Sequence, residues 1–193
     1  MLAPVRITPP SMLPVSLAEA KAHLRVDHDD DDVVIEAYIA AAVDHLDGWT
    51  GILGRCLVEQ TWRQDYAAVC RVLQLPLGPV TEVVSVSFED TAGATVTVDP
   101  ADYDLIVDAG GRACVEFATG VLMSGPVRIT YKAGYPNTTD DALASTVPPA
   151  IKVAIMLMVG NWYEHREAVS DKGFAELPFG ASVLLAPYRR VGV

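Results

Sequence analysis

Residues 148–163 read PPAIKVAIMLMVGNWY and form the most strongly helical stretch of the sequence. Proline is tolerated in the first turn of a helix, where its missing amide hydrogen would have no partner, so this proline pair predicts a helix start. One apolar stripe then follows at helical spacing: Ile151, Ile155, Met158 and Trp162. Valine, methionine and leucine fill most of the other positions, which predicts a helix buried on more than one side, at the centre of a helical body.

The N-terminal part of the chain predicts two further helices. Ser16-Leu17-Ala18-Glu19 fits a capping box, which predicts a helix from this point to about Val26. A second helix is expected to begin in the acidic run that follows and to reach about Trp49. Its apolar stripe is Ile35, Ile39, Ala42, Leu46 and Trp49. Neither helix can bury its stripe alone, so we expect both to pack against the C-terminal helix.

Between these helical parts the apolar period changes to two, which is typical of strands with one solvated face. Val127, Ile129 and Tyr131, for example, alternate with polar residues. Turn residues separate the strands, and Asp108-Ala109-Gly110-Gly111 predicts a hairpin between strands at 103–107 and 113–117. The block predicts a small antiparallel β module of about five to seven strands.

The predicted fold is therefore α+β. Residues 1–58 and 136–193 are expected to form a helical bundle body with a C-terminal arm, and residues 59–135 an inserted antiparallel β module. The arm begins near Asp171, and Ala181 to Leu185 within it is compatible with either a short helix or a strand.

Composition excludes several classes of protein. The chain has 193 residues and a net charge of -11, which argues against general binding to the phosphate backbone of nucleic acids. The three cysteines, Cys56, Cys70 and Cys114, are widely spaced and are expected to be reduced thiols. The N-terminus does not resemble a secretory signal, and no apolar run reaches the ~20 residues of a membrane span.

The acidic patch is the most obvious candidate for a metal site. It consists of Asp27, Asp29, Asp30, Asp31 and Asp32. A calcium-binding EF-hand loop counted from Asp27 would need glycine at its sixth position and glutamate at its twelfth, where this chain has Asp32 and Tyr38. Helix capping and a solvated acidic corner are therefore the favoured interpretation.

Motifs of catalysis or cofactor binding are absent from the sequence. The four histidines show no zinc-site spacing, and no nucleophile elbow, phosphate loop or dinucleotide-binding turn is present. We expect no catalytic, cofactor-binding or metal-binding residues. Among the tryptophans, Trp49 and Trp162 are expected in the core, whereas the polar neighbours of Trp62 leave core and interface equally open.

The order of these parts resembles the head-to-tail connector proteins (also called adaptor or head-completion proteins) of long-tailed phages and gene transfer agents. Four stretches carry the resemblance and span nearly the whole chain. They are Ser16–Val26 with the acidic residues after it; Tyr38–Ala42 leading to Trp49-Thr50-Gly51; Leu75–Val80 with Tyr131–Tyr135; and Val147–Lys152 continuing through Gly160–Glu167. Many relatives have a shorter turn after Thr50 and little or no β insert, so their ring details do not transfer directly.

The resemblance implies a non-enzymatic structural protein in the neck of a virion or phage-like particle, assembled in the bacterial cytoplasm. It implies a ring of about a dozen copies under the portal protein, joining the DNA-filled head to a stopper, head-closure or tail protein. DNA would cross the channel of the ring without specific binding. The resemblance implies neither a membrane partner nor a cofactor. We expect the C-terminal arm to dock on the portal through Phe174, Leu177, Phe179, Leu184, Leu185, Tyr188, Arg189 and Arg190.

Two alternatives remain open from the sequence. One is a tail-completion or tail-terminator type of binding module that uses the β module for contact. The other is a small enzyme whose site carries no recognisable motif.

Overall fold

The structure is a computed structural model that describes residues 2–120, 125–137, 145–165 and 179–190. In this part of the chain four helices and eight strands form, together with two short 3-10 helices at Pro100–Asp102 and Ala186–Tyr188. The helices are α1 (Leu17–Leu24), α2 (Asp32–Leu46), α3 (Pro149–Glu164) and α4 (Phe179–Leu185). The strands are β1 (Val5–Thr8), β2 (Gln60–Tyr66), β3 (Val72–Leu75), β4 (Val80–Glu89), β5 (Thr95–Thr97), β6 (Tyr103–Val107), β7 (Ala113–Phe117) and β8 (Val127–Ala133).

The chain divides into two compact units. The β unit contains Met1–Ser11 and Val58–Pro136, and the helical unit contains Met12–Leu57 and Asn137–Val193. The mixed α+β fold class predicted from the sequence is confirmed. The assignment of the first eleven residues to the helical body is wrong, because β1 pairs antiparallel with β2 and so joins the β unit.

Helix α3 lies at the centre of the helical unit and contacts α1, α2 and α4. Its buried side chains are Ile151, Ala154, Ile155, Met158 and Val159. Helix α2 contributes Ile35, Ile39 and Leu46 to the same core. Each apolar stripe is covered by a neighbouring helix, as the spacing of the stripes predicts.

Helix α1 begins with the predicted capping box. The Ser16 side chain accepts a hydrogen bond from the Glu19 amide, and the Glu19 carboxylate accepts one from the Ser16 amide at 2.8 Å. The helix ends at Leu24, two residues earlier than expected, because Arg25 adopts the left-handed conformation at the C-cap.

The β unit consists of two antiparallel sheets, with strand orders β1-β2-β8-β4-β5 and β3-β7-β6. The predicted hairpin is present as β6 and β7, with Leu105 opposite Val115. Along β2 and β8 every second residue is buried, and Trp62 and Tyr131 form one of the directly opposed pairs. This alternation leaves a solvated face on the five-stranded sheet and a buried face that carries the core.

Candidate interaction surfaces

The acidic patch lies between α1 and α2, at the amino end of α2. Asp31 occupies the N-cap position and Asp32 lies in the first turn, where carboxylates favour the positive end of the helix dipole. No side-chain capping hydrogen bond forms at Asp31, so that part of the expectation is wrong. Its carboxylate instead accepts a hydrogen bond from the Tyr163 hydroxyl at the end of α3.

Lys21 on α1 neutralises part of the acidic patch. Its ammonium group lies 2.7 Å from a carboxylate oxygen of Asp29 and 2.7 Å from one of Asp32. These hydrogen bonds raise the pKa of Lys21, and the bond from Lys21 lowers the pKa of Asp29. The side chains of Asp29 and Asp30 remain almost fully exposed, so the patch presents negative charge to solvent while its base is tied to the helices.

The acidic patch does not assemble a metal site. In the described residues no group of three or more histidine, cysteine, aspartate or glutamate side chains is placed to hold a metal ion. Nor does any helix in the described ranges have the length and apolarity needed to cross a membrane.

The C-terminal arm is described from Phe179 onward, so Phe174 and Leu177 lie outside the described residues. Phe179 is 85% exposed, and Arg189 is also exposed to solvent. Leu184, Tyr188 and Arg190 are half-buried. Leu185 has no exposed area, so it belongs to the core of the helical unit and presents no docking surface in this conformation.

The end of the arm is seated on the loop that follows α2. The Arg190 amide donates a hydrogen bond of 2.9 Å to the Leu53 carbonyl. The Arg55 guanidinium lies 5.8 Å from the centroid of the Tyr188 ring, within the range of a cation–π contact. The helical alternative for Ala181 to Leu185 is thus the one the structure adopts, as α4.

The loop that receives the arm is fixed by its own backbone. The Leu57 amide donates a hydrogen bond of 2.7 Å to the buried Asp47 carboxylate, and the Gly48 amide donates one of 2.8 Å to the Arg55 carbonyl. A Cβ at Gly51 would lie 2.4 Å from backbone atoms of Leu46 and Asp47, so this close approach requires glycine. In the sequence, the spaced glycines Gly48, Gly51 and Gly54 predict the end of a helix, but they do not predict that the C-terminal arm binds to this loop.

The three tryptophans lie in different environments. Trp49 is about half exposed, and the core prediction is wrong because α2 ends at Leu46 and the helical stripe does not continue to position 49. Trp162 is half-buried and makes an edge-to-face contact with Tyr38, with ring centroids 6.2 Å apart. Trp62 is buried, with the Arg6 guanidinium 5.9 Å from its ring centroid.

A cavity of about 390 Å³ lies at one end of the five-stranded sheet. Its charged lining residues pair with one another: the Arg128 guanidinium lies 3.5 Å from the Asp65 carboxylate and 3.9 Å from that of Glu89. The charged lining thus has two carboxylates and one guanidinium, which leaves an excess of one carboxylate, and the Asp65 carboxylate also lies 3.1 Å from the Arg63 guanidinium.

The fold is similar to that of chains in gene transfer agent (GTA) particles. A chain in the neck of an empty GTA particle, computed with C6 symmetry, is 24% identical with a TM-score of 0.74. A chain of the native GTA virion is also 24% identical with a TM-score of 0.77, and one of the native neck, computed with C12 symmetry, is 23% identical with a TM-score of 0.69. Each alignment covers 100% of this chain and 97% of the other.

Residues 14–76 match the family model of the phage gp6-like head-tail connector proteins. This segment, about a third of the chain, contains α1, α2 and the first strands after them. The resemblance to head-to-tail connectors predicted from the sequence is therefore confirmed. No curated protein sequence matches the chain.

Proposed function

We propose that this chain is a structural neck protein of a phage or gene transfer agent, which assembles as a ring and joins the DNA-filled head to the tail. The observation that carries the proposal is the coincidence of two independent matches. A head-tail connector model matches residues 14–76, and neck chains of GTA particles share the fold over the full length of the chain. The role is one of binding and assembly, and it needs no catalytic residue.

The ring contains one kind of subunit, repeated around the channel axis. The GTA necks that share this fold were computed with C6 and C12 symmetry, which supports a cyclic arrangement. In such a ring each copy uses two different surfaces on its two neighbours. The portal protein contacts one end of the ring and a stopper or tail protein the other, and assembly takes place in the bacterial cytoplasm.

The negative charge of the chain fits a protein that surrounds DNA without holding it. A channel wall that lacks unpaired cations releases no counterions from the phosphate backbone and so provides little affinity for DNA. The acidic patch, with Asp29 and Asp30 exposed, supplies such charge if it faces the channel. A cryo-EM map of the assembled ring tests this idea: an acidic patch on the outside together with arginines lining the channel would contradict it.

The portal contact is made by the C-terminal arm, and Phe179 is its anchor. This side chain is large, apolar and exposed, which is typical of residues that become buried in an interface. Truncation from Asp171 is a poor test, because it removes α4 and with it the buried Leu185. Phe179→Ala leaves that packing in place and is expected to weaken portal binding by about tenfold or more, or ~1.4 kcal/mol.

The matched control is Val33→Ala, which shortens another strongly exposed apolar side chain of the helical unit, on α2. Both variants should keep the thermal stability of the parent chain, and only Phe179→Ala should lose portal affinity in a sedimentation binding assay. Equal portal binding by the parent and Phe179→Ala would show that the arm does not dock through this residue.

The proposed function is tested by electron microscopy of tailless, DNA-filled heads that display the portal. The purified chain is added to these heads and, in parallel, to isolated tail tubes. We expect rings at the portal vertex and none at the tubes. Rings on the tail tubes alone would support the tail-completion alternative and overturn the connector role.

A further inference from the structure

Strands β1 and β6 are edge strands at opposite sides of the β unit. β1 is the outermost strand of the five-stranded sheet next to β2, and β6 is the outermost strand of the three-stranded sheet. The Tyr66 hydroxyl on β2 donates a hydrogen bond to the Gln74 carbonyl on β3, whereas β6 contacts β4. Because β2 and β4 lie on the two sides of β8, β1 and β6 are placed at opposite ends of the unit.

Both edges carry exposed aliphatic side chains. Val5 and Ile7 on β1 are 45% and 50% exposed, and Ile106 and Val107 on β6 are 41% and 49% exposed. Soluble proteins normally protect such edges with charged side chains, proline or β-bulges. Neither VRIT of β1 nor YDLIV of β6 contains lysine or proline; each strand has one charged residue, Arg6 or Asp104, and the pairing of β1 with β2 shifts register between Arg6 and Thr8. The two strands are similar in length, with four residues in β1 and five in β6.

The charges on the two edges are opposite. Arg6 is the exposed cation in the middle of β1, whereas Asp104 is exposed on β6 and Asp108 follows directly after that strand. Pairing β1 with β1 would bring two arginines together, and pairing β6 with β6 would bring two aspartates together. Charge therefore favours β1 against β6 over either symmetric pairing.

We propose that β1 of one copy pairs with β6 of the next copy, so that the β unit forms part of the subunit interface. This inference rests on the proposed ring. Two different edges at opposite ends of one unit are what a head-to-tail ring requires, since each copy then offers one edge to each neighbour. Main-chain hydrogen bonds supply the contact, and the aliphatic pairs become buried across it.

Disulfide trapping in the full chain tests this pairing. Cys70 is exposed and Cys114 is partly exposed, so both are first replaced by serine, while the buried Cys56 is kept. Ile7→Cys is then combined with Ile106→Cys in one variant and with Val107→Cys in another. Because a shift of one residue turns a side chain to the other face, the two variants cover both faces of the pairing.

The proteins are oxidised after ring assembly on portal-bearing heads and separated on denaturing gels. One of the two double variants is expected to give a ladder of dimers, trimers and higher species that collapses on reduction. Ile7→Cys alone should remain monomeric. Dimers from Ile7→Cys alone would instead indicate symmetric β1–β1 pairing and would overturn the proposal.

Charge on the edges provides a second test. Ile7→Lys and Val107→Lys should each abolish ring formation on heads, because lysine on an edge strand opposes pairing. Val72→Lys is the matched control: Val72 is exposed to a similar extent on the edge strand β3, and this variant should form rings normally.

The two tests separate this inference from the proposed function. Rings that form on heads without a disulfide ladder, and that tolerate both lysine variants, would contradict the β1–β6 interface and leave the connector role intact. A parent chain that forms no ring on heads would overturn the connector role and this interface together.

Discussion

Strand β1 and helix α4 lie near the two ends of the chain and are held in place by different interactions. All four side chains of β1 are exposed, and the strand is held by backbone pairing with β2 and by the bond of 2.7 Å from the Gln64 amide group to the Leu2 carbonyl. Helix α4 instead buries Ala181 and Leu185 against the helical unit. A segment held by its backbone leaves little trace in the hydrophobic pattern, whereas one held by side chains does.

The largest loss of stability is expected in the loop after α2, which contacts the end of the C-terminal arm. Gly51→Ala is expected to destabilise the chain by about 4 kcal/mol, because the new Cβ would lie 2.4 Å from the backbone of Leu46 and Asp47. Chemical denaturation measures the change. Gly180→Ala is the control, since its Cβ meets Leu157 at an ordinary 3.5 Å; similar stability of the two variants would contradict this account.

The comparison itself is tested by truncating one side chain in each segment. Leu185→Ala in α4 should cost about 3 kcal/mol, because it removes a fully buried side chain from the core. Ile7→Ala in β1 should cost only about 0.5 kcal/mol, since half of that side chain is already exposed. Thermal unfolding of both variants gives the two values, and equal losses would show that the ends of the chain are held alike.

A third prediction concerns the contact between α2 and α3. Trp162→Ala is expected to cost about 2 kcal/mol, less than a fully buried tryptophan, because the ring is half-buried and contacts Tyr38 edge to face. Trp162→Phe keeps an aromatic contact and should recover about half of the loss in urea denaturation. A Trp162→Ala variant as stable as the parent would place this residue in an interface instead.

A smaller effect than at Trp162 is expected at the cap of α1, where it depends on pH. Partial burial raises the pKa of Glu19, but hydrogen bonds from the Ser16 amide and hydroxyl, together with the Lys152 ammonium group, outweigh it and hold the pKa below its ordinary value of 4.5. Because the folded-state pKa is lowered, this contribution is present above pH 4.5 and is lost as pH falls through the folded-state value.

Ser16→Ala should therefore cost about 1 kcal/mol at neutral pH, and the difference from the parent should shrink in acid. Chemical denaturation of the parent and of Ser16→Ala at pH 7 and pH 3 measures this difference in the free energy of unfolding. In a Glu19→Gln background the cost of Ser16→Ala should no longer change with pH, since the amide does not titrate in this range. A cost that persists unchanged in acid would show that Glu19 does not take part.

The helices and strands that bury one face were the elements predicted most accurately from the sequence. The bounds of β6 and β7 follow from the turn at Asp108 to Gly111, and the start of α3 from its prolines. Strand β1 was missed because edge pairing needs no buried side chain, although a β-branched run between Pro4 and Pro9 was a usable signal. Trp49 was misplaced because periodicity does not show where a helix ends.

The interaction surfaces were less predictable than the fold. The exposed Phe179 and the buried Leu185 belong to the same apolar segment, and only the packing of α4 separates their roles. The partners of Gln64, a buried polar residue on β2, depend on where the N-terminus lies, which residue spacing does not encode. Such contacts are set by tertiary structure, so a single sequence leaves them open.

The central claim is that this chain forms a ring on the portal. Its most direct test is the solution mass of the full chain alone and after mixing with purified portal, measured by analytical ultracentrifugation. The account predicts that the portal species gains the mass of a complete ring of copies of this chain. A portal species of unchanged mass, with the chain sedimenting separately beside it, would contradict the claim.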